Sequence, residues 1–274
     1  MTASSKSGIV SLAPDRDALE GLYRMYNDRR HISPDPLEFV HRYERQDDRE
    51  VAALIASSLA FGTVRHICAS AARVLEPMGD GPALWLLESP LRDIAGALRG
   101  FRHRWITGAD MASMLGGARA ALKEYGSLRG LFYAALRPGD SDVAPALSRF
   151  SRYIVRKGGG FRACLIPSPE SGSACKRLNL LLRWMVRRDA VDPGGWDEVR
   201  PAMLIVPLDT HLYRISRRLG LTARHTVDLG TAREITERFR EISPDDPVKY
   251  DFALTRIGMR RFGEEEGNRA ALHC

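Results

Sequence analysis

The chain has 274 residues, 44% of them hydrophobic and 27% charged, with a formal net charge of +7 at pH 7. That length supports a sizeable core in one large or two small domains. Nothing in the chain approaches the roughly 18 consecutive apolar residues of a membrane span, and residues 1–15 lack the apolar centre of a signal peptide, which leaves a short disordered N-terminal tail over 1–17 as the expectation.

Apolar residues then recur at helical spacing along most of the chain. Leu19, Leu22, Met25 and Tyr26 form one stripe, and Val51, Leu54, Ile55, Ser58 and Leu59 a second, with Asp47 and Asp48 as helix-start signals. Helices are further predicted near 111–125, 144–155, 175–186, 211–219 and 232–239. Convincing alternating strands are missing. The run Met203–Val206 is short enough for a strand, but Pro201 and Pro207 bracket it into something brief. An all-α fold follows.

The clearest breaks are Gly158-Gly159-Gly160 and the stretch Pro167–Gly172, which predict a linker near 156–173. The segment after it is the most basic in the chain: from Ala174 to Arg240 there are 13 Lys or Arg against 8 Asp or Glu, and only Lys176 among the 13 is a lysine. Arginine suits phosphate because its planar fork holds two oxygens at once. A GC-rich genome produces the same arginine-rich composition. Cys68, Cys164, Cys175 and Cys274 lie far apart without Cys-x-x-Cys spacing, which points to reduced cytosolic thiols and no metal site.

Two short segments hold the chemistry. In Ser171-Gly-Ser-Ala-Cys-Lys-Arg177, Gly172 and Ser173 suit a turn whose N–H groups face an anion. Lys176 then falls in the first turn of a helix whose core side carries Leu178, Leu181, Leu182 and Met185. A lysine is ordinarily a solvated surface charge. It becomes a nucleophile when withdrawn from water or set beside a second cation, and Arg177 is such a neighbour. In Pro207-Leu-Asp209-Thr-His211-Leu-Tyr-Arg214, Asp209 is positioned as a helix N-cap. A carboxylate there is also held in direction near a positive helix end. His103-Arg104-Trp105 is a weaker signal.

The run Ile205–Gly220 resembles the aspartate segment of the helix–hairpin–helix DNA glycosylases, in which a Val-Asp-Thr-His-type sequence opens a helix. In that superfamily a catalytic lysine starts the helix after the hairpin, and Lys176 matches it, 33 residues before Asp209. This spacing, together with Asp246–Gly258, is most similar to the archaeal 8-oxoguanine glycosylase branch. The whole stretch 18–263 is also similar to a conserved bacterial family. Ser168-Pro-Glu-Ser-Gly172 stands where the superfamily carries Leu-Pro-Gly-Val-Gly, and the four-cysteine cluster of the endonuclease III branch is absent.

The resemblance implies a two-lobed helical domain over 18–263, with the active site between the lobes and a C-terminal tail over 264–274. It implies a cytoplasmic bacterial monomer with no bound cofactor or metal that excises an oxidised purine from double-stranded DNA and cleaves the strand. Lys176 and Asp209 would be catalytic. Gly172, Ser173, Arg177, Arg183, His211, Arg214 and Arg217, with Arg187 beside them, would contact DNA. Phe61 would act as wedge, with Trp184 or else Tyr213 or Trp196 stacking on the extruded base. The competing expectation is a non-catalytic nucleic-acid-binding protein that keeps the same fold.

Overall fold

The first turn of a helix leaves N–H groups unpaired, and short polar side chains supply most of the oxygens they need here. In the computed structural model, which describes residues 15–258 apart from residue 163, Asp15 caps α1 (Arg16–Tyr26). Helix α2 (Gln46–Ser58) has no side-chain cap, and Thr63 caps α3 (Val64–Leu75). Helices α4 (Pro82–Glu88) and α5 (Leu91–Ala97) start at prolines. Strands β1 (Arg102–His103) and β2 (Ile106–Thr107) pair in antiparallel register, Arg102 opposite Thr107. Thr107 then forms a capping box with Asp110 at the start of α6 (Gly108–Tyr125). Ser127 caps α7 (Leu128–Ala135), and α8 (Ala144–Lys157) follows. Beyond it come α9 (Lys176–Val186), α10 (Thr210–Arg218) capped by Asp209, and α11 (Leu229–Ile242) capped by Asp228. A last helical segment covers residues 251–258.

The architecture is helical, as its periodicity predicts. The expected tail 1–17 overlaps α1, because Asp15 sets a helix start at Arg16; residues 1–14 and the expected tail 264–274 lie outside the described residues. The brief strand expected at 203–206 is not formed. Met203 closes a 3-10 turn, Pro201–Met203, and residues 204–209 carry no strand. Residues 158–168, apart from 163, have neither helix nor strand. No helix of the described residues is long and apolar enough to cross a membrane.

Helix α2 lies at the centre. Every residue from Asp48 to Ser58 except Arg49 is buried, and α2 packs against α3, α4, α7 and α9. A helix apolar on all sides belongs in an interior, so its two buried acids need partners. Asp48 accepts from the Ala83 N–H of α4 at 2.8 Å, which makes it a cap for a distant helix and not for its own. Glu50 accepts from the Arg129 N–H and from Trp196 Nε1, each at 3.0 Å.

Burial pushes the Glu50 carboxyl up to about 7 from its ordinary value of 4.5. Between those values the folded protein holds a proton that the unfolded chain releases. Stability therefore falls as pH rises from about 5 to about 8, by about 3 kcal/mol at most from this group. Denaturation midpoints measured across that range are expected to decline with pH, and Glu50→Gln is expected to flatten the decline. An unchanged slope in the variant would remove Glu50 as its cause.

Candidate active site

Helix α9 supplies one wall of a cavity of about 510 Å³, within the size range of sites for small organic groups. Lys176, Arg177, Leu180, Arg183 and Trp184 all line it. Their spacing of i, i+1, i+4, i+7 and i+8 is one face of a helix. The other face carries Leu178, Leu181, Leu182 and Met185 into the core, as their pattern predicts.

Lys176 is the first residue of α9. The turn before it is tightly shaped. Ser168-Pro-Glu-Ser makes a 3-10 turn that ends on Gly172 in the left-handed conformation (φ 77°). Cys175 is also left-handed (φ 47°), a conformation costing about 1–3 kcal/mol in a residue with a side chain and often kept at working sites. Its N–H is accepted by Ser173 Oγ at 3.2 Å, and its Sγ lies 3.4 Å from the Pro167 carbonyl. Burial pushes the Cys175 thiol up to about 11, so the group beside Lys176 is a neutral thiol at pH 7.

Asp209 serves two purposes with two oxygens. Oδ1 accepts from the N–H groups of His211 and Leu212 at 2.9 and 2.8 Å, which is the cap of α10. Oδ2 lies 3.3 Å from Lys176 Nζ. The lysine side chain is 30% exposed and the aspartate side chain 20%, so the pair opens to solvent from a half-buried position. Lys176 Nζ also lies 3.5 Å from the Ala60 carbonyl. Two helix starts, those of α9 and α10, therefore meet at one ammonium–carboxylate pair.

The remaining expected residues divide. Ser173, Arg177 and His211 line the cavity. Gly172 holds the preceding turn, its carbonyl accepting from Leu229 N–H at 3.0 Å. Arg214 is exposed on α10, whereas Arg217 is half-buried and donates to the carbonyls of Ala223 and Arg224. Phe61 lines the cavity but is not an open wedge. Its ring meets His103 at 4.6 Å, Trp105 at 5.2 Å and the Arg177 guanidinium at 4.7 Å. Trp105, 44% exposed at the tip of the β1–β2 hairpin, is the most exposed aromatic of that stack, Phe61 being half-buried.

Arg183 and Arg187, expected on a DNA backbone, are buried instead. Arg183 binds Asp192 at 3.1 Å and Asp251 at 2.6 Å. Arg187 binds Asp189 and Asp246, each at 2.9 Å, and also Asp192. These pairs tie α9 to the 189–192 loop and to the 251–258 segment. Trp196 is fully buried, with its N–H on Glu50, and does not line the cavity. The Tyr213 hydroxyl donates to the Arg224 carbonyl at 2.9 Å. Trp184 lines the cavity but is only 1% exposed.

Asp35, Val227, Asp251 and Phe252 also line the cavity and were not singled out in the sequence. Asp35 reads as an ordinary cap, which it also is for Leu37 N–H at 2.9 Å; no local pattern marks any of the four as cavity residues. No cluster of possible metal ligands occurs among the described residues, and Cys68, Cys164 and Cys175 are free thiols.

A family model described as protein of unknown function (DUF2400) matches residues 35–260. No curated protein and no solved structure matches the chain.

Proposed function

This chain belongs to the family described as protein of unknown function (DUF2400), and we propose that it is a DNA glycosylase with associated abasic-site lyase activity. Its substrate on this reading is double-stranded DNA carrying an oxidised purine such as 8-oxoguanine, in the cytoplasm of a bacterial cell. The observation that carries the proposal is the Lys176–Asp209 pair, 3.3 Å apart in a cavity of base-holding size. Two helix starts beside it favour negatively charged groups such as flanking phosphates. The likeness of the segments around both residues to the helix–hairpin–helix glycosylases supports the same reading, and with it a two-lobed arrangement of helices around the cavity.

The chemistry follows from the two side chains. A damaged base leaves the stack at a cost of a few kcal/mol. The Lys176 amine, its proton passed to Asp209 Oδ2, forms a bond to C1′ as the glycosidic C1′–N bond breaks, and the base departs with that electron pair and takes up a proton. Opening of the sugar gives a C=N linkage between Lys176 and C1′. Loss of a C2′ proton then breaks the C3′–O bond and releases the 3′ phosphate. Asp209, a carboxylate again once it has passed that proton to the departing base, stabilises the positive charge of the C=N linkage.

Single-lesion duplexes incubated with the protein test this directly. Strand cleavage at an oxidised purine, and a covalent protein–DNA adduct when borohydride reduces the C=N bond, are the expected results. Binding that weakens with salt, with no base release and no adduct on any duplex, would instead identify a non-catalytic nucleic-acid-binding protein.

A further inference from the structure

The run His103-Arg104-Trp105 has no part in the Lys176–Asp209 pair, yet the fold sets it at the rim of the same cavity. Phe61 and Gly62 line that cavity, and Gly62 is exposed. The Trp105 ring lies 5.2 Å from the Phe61 ring, tilted by 31°. The Arg104 side chain passes beside Gly62, 3.5 Å from where a Cβ would stand there. Trp105 Nε1 donates to Cys164 Sγ at 3.3 Å. The indole is therefore anchored at its edge and against Phe61, while much of the residue stays open to solvent.

The same tip carries uncommitted positive charge. Arg183, Arg187, Arg224 and Arg233 are held by carboxylates. Arg102 and Arg104 are exposed and form no ion pair among the described residues. Arg102 Nε donates to the Arg104 carbonyl at 3.1 Å, and the Arg104 guanidinium lies 5.0 Å from the centre of the Trp105 ring. An exposed guanidinium holds a ring less strongly than a stacked base does, so a base can take that face and release Arg104 to a phosphate. Arg104 is also left-handed (φ 54°), a backbone shared among the described non-glycine residues only with Cys175 beside Lys176.

We propose that the β1–β2 hairpin tip is a nucleic-acid contact, in which Trp105 stacks on the bases laid bare where one nucleotide has left the duplex stack and Arg102 and Arg104 take the flanking phosphates. The inference rests on the reading of damaged duplex DNA as the substrate, and it assigns the open aromatic of the site to the hairpin instead of to Phe61. A base drawn into the cavity leaves a gap behind it, and an aromatic side chain in that gap recovers part of the lost stacking. Every base has a π-face, so the contact reads the gap and not the sequence. The identity of the damaged base is left for the cavity to decide.

The test measures binding without chemistry. The probe is a duplex with one tetrahydrofuran abasic analogue, which has no leaving group at C1′, set against the same duplex fully paired. The full-length protein is expected to bind the analogue duplex roughly 10-fold more tightly. Trp105→Ala is expected to lose that preference and Trp105→Phe to keep most of it. The double variant Arg102→Ala, Arg104→Ala is expected to bind the analogue duplex with a salt slope lower by about 1–2. No preference in the parent, a preference that survives Trp105→Ala, or an unchanged salt slope in the double variant overturns the proposal. A second measurement needs no change in the protein. The fluorescence of 2-aminopurine placed opposite the analogue is expected to fall as the indole stacks on it; fluorescence that does not fall overturns the proposal even if Trp105→Ala fails to fold. A parent that shows the preference but forms no adduct on natural abasic DNA overturns the glycosylase reading and leaves this contact standing. Adduct formation together with a preference that survives Trp105→Ala overturns this contact alone.

Discussion

Lys176→Ala is expected to abolish the borohydride-trapped adduct on abasic DNA while leaving stability within about 1 kcal/mol of the parent. The stability side follows from exposure. The ammonium is partly open to water, and half-open ion pairs contribute little to folding. The activity side follows from connectivity: only this amine among the cavity residues can form the C=N bond, since the neighbouring Cys175 is a buried, neutral thiol. Asp209→Asn refines the result. The amide oxygen can still accept from His211 and Leu212 N–H, so α10 keeps its cap. The charge facing Lys176 is lost, and a fall of about 10²–10³ in adduct formation is expected. Asp209→Ala removes the cap as well, at a further cost of about 1 kcal/mol in stability. Trapping that survives Lys176→Ala would take Lys176 out of the nucleophile's role.

Arg183→Ala carries the largest expected effect on folding. Its guanidinium holds two buried carboxylates, Asp192 and Asp251, and removing it leaves Asp251 in the interior without that partner and Asp192 with Arg187 alone. Losses of about 3–5 kcal/mol are typical of a broken buried pair, which for a chain of this size lowers the unfolding midpoint by roughly 10 °C or more. Arg188→Ala is the control. Arg188 pairs with Asp197 on the surface, both side chains well exposed, and its loss is expected to cost under about 1 kcal/mol. Thermal unfolding of the two variants side by side checks the contrast. An Arg183→Ala protein as stable as the parent, but weaker on DNA, would restore Arg183 to the nucleic-acid-binding role its sequence position suggests.

That case shows why charge alone misleads along this segment. Thirteen basic residues between 174 and 240 read as a phosphate-binding surface, but many are paired within the protein. Arg183 and Arg187 face inward, Arg224 meets Asp228 and Arg233 meets Asp142. Asp142 is 91 residues from Arg233, and Asp251 is 68 from Arg183; separations of that kind leave no mark on the local pattern.

What the sequence determines by itself is local. Helical periodicity needs only neighbours within a few turns, and a cap needs only the next three residues. The helical class was legible for this reason, as were the starts of α9 and α10, with Lys176 first in one helix and Asp209 capping the other. The short helices α4 and α5 and the β1–β2 hairpin were not, because two strand residues or seven helical ones carry too little pattern. Only the tertiary structure decided the rest. It brought Lys176 and Asp209 to 3.3 Å across 33 residues of chain, turned Arg183 and Arg187 into the core, and covered Phe61 with Trp105 and Arg177. Each of these depends on which distant surfaces pack together, and packing is set by the burial of the whole core rather than by any one segment of it.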